Sequence, residues 1–254
     1  MPSRHLTILT GASRGLGRAI AKQRLQPGHQ LLTLSRHPCD LIAPAGAEHI
    51  AWSQDLAASV EAAERLERWL DTQSAEAMAG TVASATIIHN AGVLSRLAPL
   101  ADNDAADLAH ALRVGLEAPM LLTAAFLRAT ADWPVPRKVL LISSGLGRRP
   151  MAGSASYCAA KAGLDHLARA LALEEAARPN GARVVSLAPG VIDTDMQVQL
   201  RTADPTHFAA RASFVGLHES GQLVSPAEGA RRVLAYLDRP GFGQNPIGDV
   251  RDPA

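Results

Sequence analysis

The chain has 254 residues, enough to bury a full core, and 47% hydrophobic against 19% charged residues is the balance of a folded globule rather than a disordered chain. A formal net charge of +1 removes any global electrostatic case for nucleic acid or an anionic membrane surface as partner, and no run of about 18 apolar residues suits a membrane span. Two cysteines, Cys39 and Cys158, build no disulfide framework; with no apolar leader core near the start, the expected location is the cytoplasm.

In chain order, residues 5–10 (HLTILT) read as a strand, 15–26 as a helix, 30–34 as a second strand, and 60–70 as a helix with Glu and Arg outermost. The Ala-, Ser- and Thr-rich stretch 71–85 reads as a loop. A strand over 86–89 follows, then a long helical region over about 104–131, in which Pro119 predicts a local break. Next come a strand over 138–143, the helix bearing Tyr157, a strand over 183–187, and a helix that starts at Pro226 with Ser225 as its N-cap. Short strands alternating with longer helices predict βαβ units. The expected fold is therefore α/β, a Rossmann-type doubly wound parallel sheet with helices on both faces. No repeat or domain boundary is evident, so residues 1–254 read as one domain. The segment over about 195–224 lacks strand character and follows a strand end, where it would serve as a substrate lid.

The junction of the first strand and first helix reads TGASRGLG, Thr10 to Gly17. In that context Gly11 permits a tight turn, Gly15 lets backbone approach a pyrophosphate, and Gly17 lets the helix pack close to the strand. The phosphate oxygens would meet the N–H groups of the helix start. Further on, residues 154–163 read SASYCAAKAG. A spacing of four puts Tyr157 and Lys161 on one helix face, one turn apart. A phenol with its ordinary pKa of about 10 is a poor acid or base at neutral pH, and a neighbouring cation lowers that value. The pair suits general acid–base work, although a surface Tyr over a Lys stem has the same spacing. Cys158 projects to another helix face and reads as buried packing.

The Gly-x-x-x-Gly-x-Gly spacing resembles that of the short-chain dehydrogenase/reductase family, and the resemblance grows downstream. Asp55 in QDLA matches the acidic residue after the family's third strand, and Asn90, Ala91 and Gly92 match its Asn-Ala-Gly. Ser144 stands 13 residues before Tyr157, as the family's serine does, and Tyr157 with Lys161 fills Tyr-x-x-x-Lys. Pro189, Gly190 and Thr194 match Pro-Gly-x-x-x-Thr. The resemblance implies a catalytic Ser144, Tyr157 and Lys161: Tyr157 protonates a carbonyl oxygen as hydride arrives, Ser144 orients that oxygen, and Lys161 lowers the tyrosine pKa and holds the cofactor ribose. Ser143 is the rival serine, and spacing favours Ser144. The resemblance also implies cofactor contacts from Gly11, Ser13, Arg14, Gly15, Leu16 and Gly17, from Ser35 and Arg36 after the second strand, and from Asp55 and Leu56. Asn90, Ala91, Gly92, Tyr157, Lys161, Pro189, Gly190, Ile192 and Thr194 complete the set.

Cofactor choice follows from Ser35 and Arg36. An acidic residue there would bind the ribose diol of NAD, whereas Arg36, with Arg14 nearby, suits the extra phosphate of NADP(H). One family residue is missing: where many members carry a helical Asn, this chain has Gly115. A glycine keeps the backbone carbonyl and tolerates a helix irregularity, so a proton relay through it survives; a non-catalytic NADP-binding protein on the same fold, or an NAD-linked alcohol dehydrogenase, is the alternative. The C-terminal third resembles the sepiapterin reductase and bacterial benzil reductase branch, whose members reduce carbonyls, often vicinal dicarbonyls, with NADPH. Leu146, Met151, Val191, Met196 and Phe214 are candidates to line a substrate site, or core. Arg148 and Arg149 read as loop charges within reach of an anionic substrate. The expected partners are a small carbonyl compound and a second copy of the chain, as a homodimer or tetramer. The nine histidines show no ligand spacing, so no metal is expected.

Overall fold

A computed structural model describes residues 3–253. Its seven strands form one sheet in the order β3-β2-β1-β4-β5-β6-β7, with every neighbouring pair parallel. They are β1 (Arg4–Thr10), β2 (His29–Ser35), β3 (Glu48–Ser53), β4 (Val82–His89), β5 (Arg137–Ile142), β6 (Arg183–Ala188) and β7 (Ile247–Asp249). The central strands are near-continuous apolar runs because helices cover both faces: Leu6, Ile8, Leu9, Leu31, Leu32, Ile87, Ile88 and Leu140 are fully buried.

One face carries α1 (Gly15–Arg24) against α8 (Pro226–Leu237), closing a core around Ile20, Leu31, Val185, Val233 and Leu237. The other carries α2 (Ser59–Met78), α4 (Ala118–Ala129) and α5 (Ala155–Ala176) over Leu66, Leu70, Ile87, Phe126 and Leu164. Ser225 caps α8 as expected, its hydroxyl accepting from the Glu228 N–H at 3.2 Å. Strand order reverses between β1 and β4. Thr10 pairs laterally with both Leu34 and His89, so three strand ends open side by side at the crevice where α/β sheets bind ligands.

Three elements differ from the sequence reading. The expected loop over 71–85 is the end of α2 and the start of β4. The apolar stripe of α2 runs on from Leu66 and Leu70 to a buried Ala77, and Ser74 accepts a hydrogen bond from the Trp133 indole at 3.2 Å. Small residues thus serve where the neighbouring layer comes close. β3 carried no clear sequence signal because it is an edge strand, only half-buried along its length, and β7 is three residues long.

The long helical region is divided, as Pro119 predicts. It consists of α3 (Ala105–Leu112), a π-helical turn Arg113–Glu117, and α4 with Pro119 in its first turn. Proline has no N–H for the carbonyl of residue i−4, here Gly115, and its ring would press on it. The wider π turn relieves that contact and leaves the Gly115 carbonyl without its α-helical donor. The segment after β6 holds two short helices, α6 (Asp195–Thr202) and α7 (Arg211–Glu219), and a bridge from Ile192 to Val224 ties its ends together.

Candidate active site

At the reversal of strand order lies a cavity of about 780 Å³. Every residue expected to hold the cofactor or perform the chemistry lines it, from the glycine loop through Ser35, Arg36, Asp55 and Asn90 to Tyr157, Lys161 and Thr194. The five apolar candidates Leu146, Met151, Val191, Met196 and Phe214 line it as well.

The glycine loop is held rigidly. Thr10 Oγ1 accepts from the N–H groups of Asn90 and Ala91, both at 3.1 Å, and the Asn90 amide donates to the Gly11 carbonyl at 3.1 Å. The Ala12 N–H donates to Ser35 Oγ at 2.9 Å. Loop, β2 and β4 are therefore stitched into one platform. A Cβ on Gly17 would lie 2.1 Å from the Gly11 carbonyl oxygen, so only glycine lets α1 start this close to the strand. Gly11 has φ +70°, and a Cβ there would lie 2.8 Å from the Ala91 Cα. No side chain caps the first N–H groups of α1. A backbone cradle at an uncapped helix start, too tight for side chains, fits a pyrophosphate.

The two cavity arginines differ. Arg14 donates to Asp195 on α6 at 2.9 Å in an exposed ion pair. Arg36 is exposed and has no acidic partner among the described residues. Asp40 pairs instead with Arg18. At the other end Arg149 lines the cavity, while Arg148 turns inward to donate to Asp165 at 3.2 Å and to the Gly248 carbonyl at 2.9 Å. Arg148 is a structural arginine rather than a loop charge.

The two candidate serines differ in what each hydroxyl touches. Ser143 is buried and donates to Asp165 Oδ1 at 2.6 Å. Ser144 lines the cavity beside Tyr157, and its oxygen also accepts from the Leu146 N–H at 3.2 Å. Lys161 is buried, donates to the Ile142 carbonyl at 2.7 Å, and holds its Nζ 5.5 Å from the centroid of the Tyr157 ring. The ammonium thus lies near the ring, and no hydrogen bond joins it to the phenol among the described residues. This corrects the expected electrostatics. Burial pushes the Tyr157 phenol up to about 12, and the Ser144 hydroxyl only partly opposes that. Burial likewise pulls Lys161 down to about 8, against the pull of Asp165 in the other direction.

His89, at the end of β4, is fully enclosed, and burial lowers its pKa to about 3, so it stays neutral. Its Nε2 meets Thr123 Oγ1 at 2.9 Å. Cys158 is half-buried rather than buried, with Sγ 3.6 Å from Ser154 Oγ. The sequence reading missed several lining residues: His110 and Val114 across the cavity from α3 and the π turn, and Asp249 with its partner Arg251 at β7. Val114 carried one usable signal, its place immediately before Gly115.

Among known proteins, the model of the short chain dehydrogenase family matches residues 5–205. A benzil reductase ((S)-benzoin forming) of Bacillus cereus is 30% identical over 240 residues, covering 94% of this chain and 96% of that protein. The sepiapterin reductase of Rattus norvegicus is 32% identical over 261 residues, covering 96% and 95% of the two chains. A solved structure of a putative NAD(P) dependent gluconate 5-dehydrogenase from Beutenbergia cavernae, with bound NADP at low occupancy, superimposes with a TM-score of 0.80 at 26% identity, covering 98% of this chain and 95% of that one. A matched family model across most of the chain, relatives alike along nearly their whole length, and a parallel sheet with these motifs at its crevice agree: the chain belongs to the short-chain dehydrogenase family of oxidoreductases.

Proposed function

We propose that this single-domain chain is an NADPH-dependent carbonyl reductase that converts a ketone, and best a vicinal diketone, to an alcohol. The observation that carries the reading is the convergence of Ser144, Tyr157, Lys161, the glycine cradle and Arg36, which has no acidic partner among the described residues, on one cavity that Leu146, Met151, Val191, Met196 and Phe214 also line. The benzil reductase relatives support the diketone, since benzil carries two adjacent carbonyls between apolar rings.

When bound, the nicotinamide supplies the hydride. The chain supplies the rest. Backbone of Gly11, Ser13, Gly15, Leu16 and Gly17 holds the pyrophosphate, Asp55, Leu56, Asn90, Ala91 and Gly92 line the adenosine side, and Arg36 with Ser35 binds the additional phosphate. Arg14 joins it only by sharing its guanidinium with Asp195. Pro189, Gly190, Ile192 and Thr194 bound the nicotinamide end. Ser144 donates to the carbonyl oxygen and fixes its place; Tyr157 then gives that oxygen its proton. A phenol raised to about 12 keeps its proton at neutral pH, which suits the reductive direction. Lys161, protonated below about pH 8, holds ribose hydroxyls, and the Gly115 carbonyl, which has no N–H donor at Pro119, is the backbone acceptor we assign to a water on the path that reprotonates Tyr157.

The segment over 195–224, tied at its base by the Ile192–Val224 bridge, supplies Met196 and Phe214 to the substrate side and acts as a lid. Free Cys39 and Cys158 support a reducing, cytoplasmic setting. The test is steady-state NADPH oxidation with benzil, a smaller aryl diketone, a quinone, a pterin and an oxo acid. Turnover fastest on the diketones is the expected result. No turnover on any of them by a protein that binds NADPH would overturn the reading.

A further inference from the structure

We propose that Asp165 is a positioning residue for the reductive centre: one buried carboxylate that fixes the β5 end carrying Ser144 and lies one helical turn from Lys161 on the same face of α5. Tyr157, Lys161 and Asp165 follow at intervals of four and form one stripe of α5. Opposite them run the last residue of β5 and the two that follow, each engaged by one member of that stripe. Lys161 donates to the Ile142 carbonyl at 2.7 Å, Asp165 Oδ1 accepts from Ser143 Oγ at 2.6 Å, and Ser144 stands beside Tyr157. The stripe thus sets the register of the strand end residue by residue.

Asp165 is 2% exposed and gathers three further elements. Its Oδ1 also accepts from Ser186 Oγ on β6 at 2.7 Å, and its Oδ2 accepts from Arg148 Nε at 3.2 Å; the same guanidinium donates to the Gly248 carbonyl of β7 at 2.9 Å. The turn after Ser144 lies directly on this network, since a Cβ on Gly147 would stand 2.8 Å from the Lys161 carbonyl oxygen and 3.2 Å from Asp165 Oδ2. A buried carboxylate is costly unless its acceptor sites are filled, and here both oxygens are filled by groups that frame the centre. A neutral packing residue would need none of them.

The charge matters as well as the hydrogen bonds. On α5 Lys161 shares its stripe with Tyr157 and Asp165; the elements packed against that helix bring Arg148 from the turn after β5, Arg183 on β6, Asp249 on β7, His110 on α3, and Arg113 and Glu117 on the π turn, with Glu117 turned to Ser59. Of these, Asp165 is the one whose charge raises Lys161 against its burial. Asp165 therefore keeps an ammonium in place through the neutral range, where a lysine buried alone would lose its proton.

The catalytic meaning rests on the proposed reductase activity, but the charge coupling is measured without it. The chain has three lysines, Lys22, Lys138 and Lys161, so a ¹³Cε-lysine NMR titration of the cofactor-free protein resolves them, with Lys161→Arg assigning the signal. In Asp165→Asn, an isosteric change, Lys161 is expected to titrate about one pH unit lower than in the unmodified protein. Relative to the unmodified protein, NADPH turnover should then retain most of its rate near pH 6 and fall about fivefold near pH 8. Arg148→Gln removes a cation from the same network, so Lys161 should titrate higher, the opposite sign. A merely structural role would lower thermal stability in both variants and move neither titration. If Asp165→Asn does not fold, Arg148→Gln alone decides. A Lys161 titration unmoved in the folded variants overturns the proposal, whatever the substrate panel gives.

Discussion

At the scale of single residues, burial at the cavity sets the protonation of Tyr157 and Lys161. Gly11, Ser144, Tyr157 and Lys161 meet at one cavity as their spacing implied, because helix and strand periodicity fix which side chains share a face. Spacing says nothing of depth. The Lys161 ammonium lies 5.5 Å from the centroid of the Tyr157 ring, and burial, only partly opposed by the Ser144 hydroxyl, raises the phenol to about 12. Tyr157→Phe is therefore expected to lower kcat by about 10²–10⁴-fold, the usual worth of a positioned acid, with NADPH affinity nearly unchanged by fluorescence titration. A variant retaining most of its rate would remove Tyr157 from the proton-donor role. Because Lys161 loses its proton above about pH 8, the KM for NADPH should climb from that pH upward while remaining flat below it. Arg36, exposed and without an acidic partner among the described residues, is the residue proposed to govern cofactor choice. Arg36→Ala should weaken NADPH by about 10–100-fold, the range for hydrogen bonds to a charged group, and leave NADH within a few-fold. Equal losses on the two cofactors would place the phosphate elsewhere.

Elements were legible where a terminus had a chemical cause. Ser225 at the start of α8 and Pro119 inside the mid-chain helix both act through a named backbone group, and both predicted features are present. Elements whose burial comes from distant neighbours were not legible. The end of α2 and the start of β4 looked like a polar linker, since Ser74, Ala77 and Ala85 are small only because Trp133 and the neighbouring strands come close. Edge strand β3 has no apolar run to announce it. The glycine loop shows how sharply an element junction can be specified. Gly17→Ala would put a methyl 2.1 Å from the Gly11 carbonyl oxygen, with the Asn90 amide nitrogen 2.4 Å away, and neither contact can yield without breaking the platform. The expected outcome is loss of measurable NADPH binding with far-ultraviolet circular dichroism retained. A Gly17→Ala protein that binds NADPH as before would show that α1 shifts freely and that the cradle is not rigid.

For the whole molecule, the π turn between α3 and α4 faces two ways. Val114 is buried against the catalytic cavity, while Leu116 lies in an outer groove with Ala109, Leu112, Arg113, Glu117 and Met120. Leu112 and Met120 are exposed at 38% and 44%, apolar surface on the helices that the expected homodimer would pair. Covering that groove with a second copy would brace the turn whose Gly115 carbonyl serves the proposed proton path, so assembly and catalysis would share one irregular helix segment. Sequence could place Pro119 and Gly115 on it, but which flank faces the cavity depends on the π turn, which shifts every later side chain around the helix. Met120→Glu adds a charge to the groove and none to the cavity. By sedimentation velocity at micromolar concentration the unmodified protein should run as a dimer or tetramer and the variant as a monomer. With that loss kcat should fall, while cofactor affinity, which we assign chiefly to the β1–α1 loop and Arg36, holds. An unmodified protein that sediments as a monomer, or a variant that stays assembled, would mean that this groove is not where the copies meet.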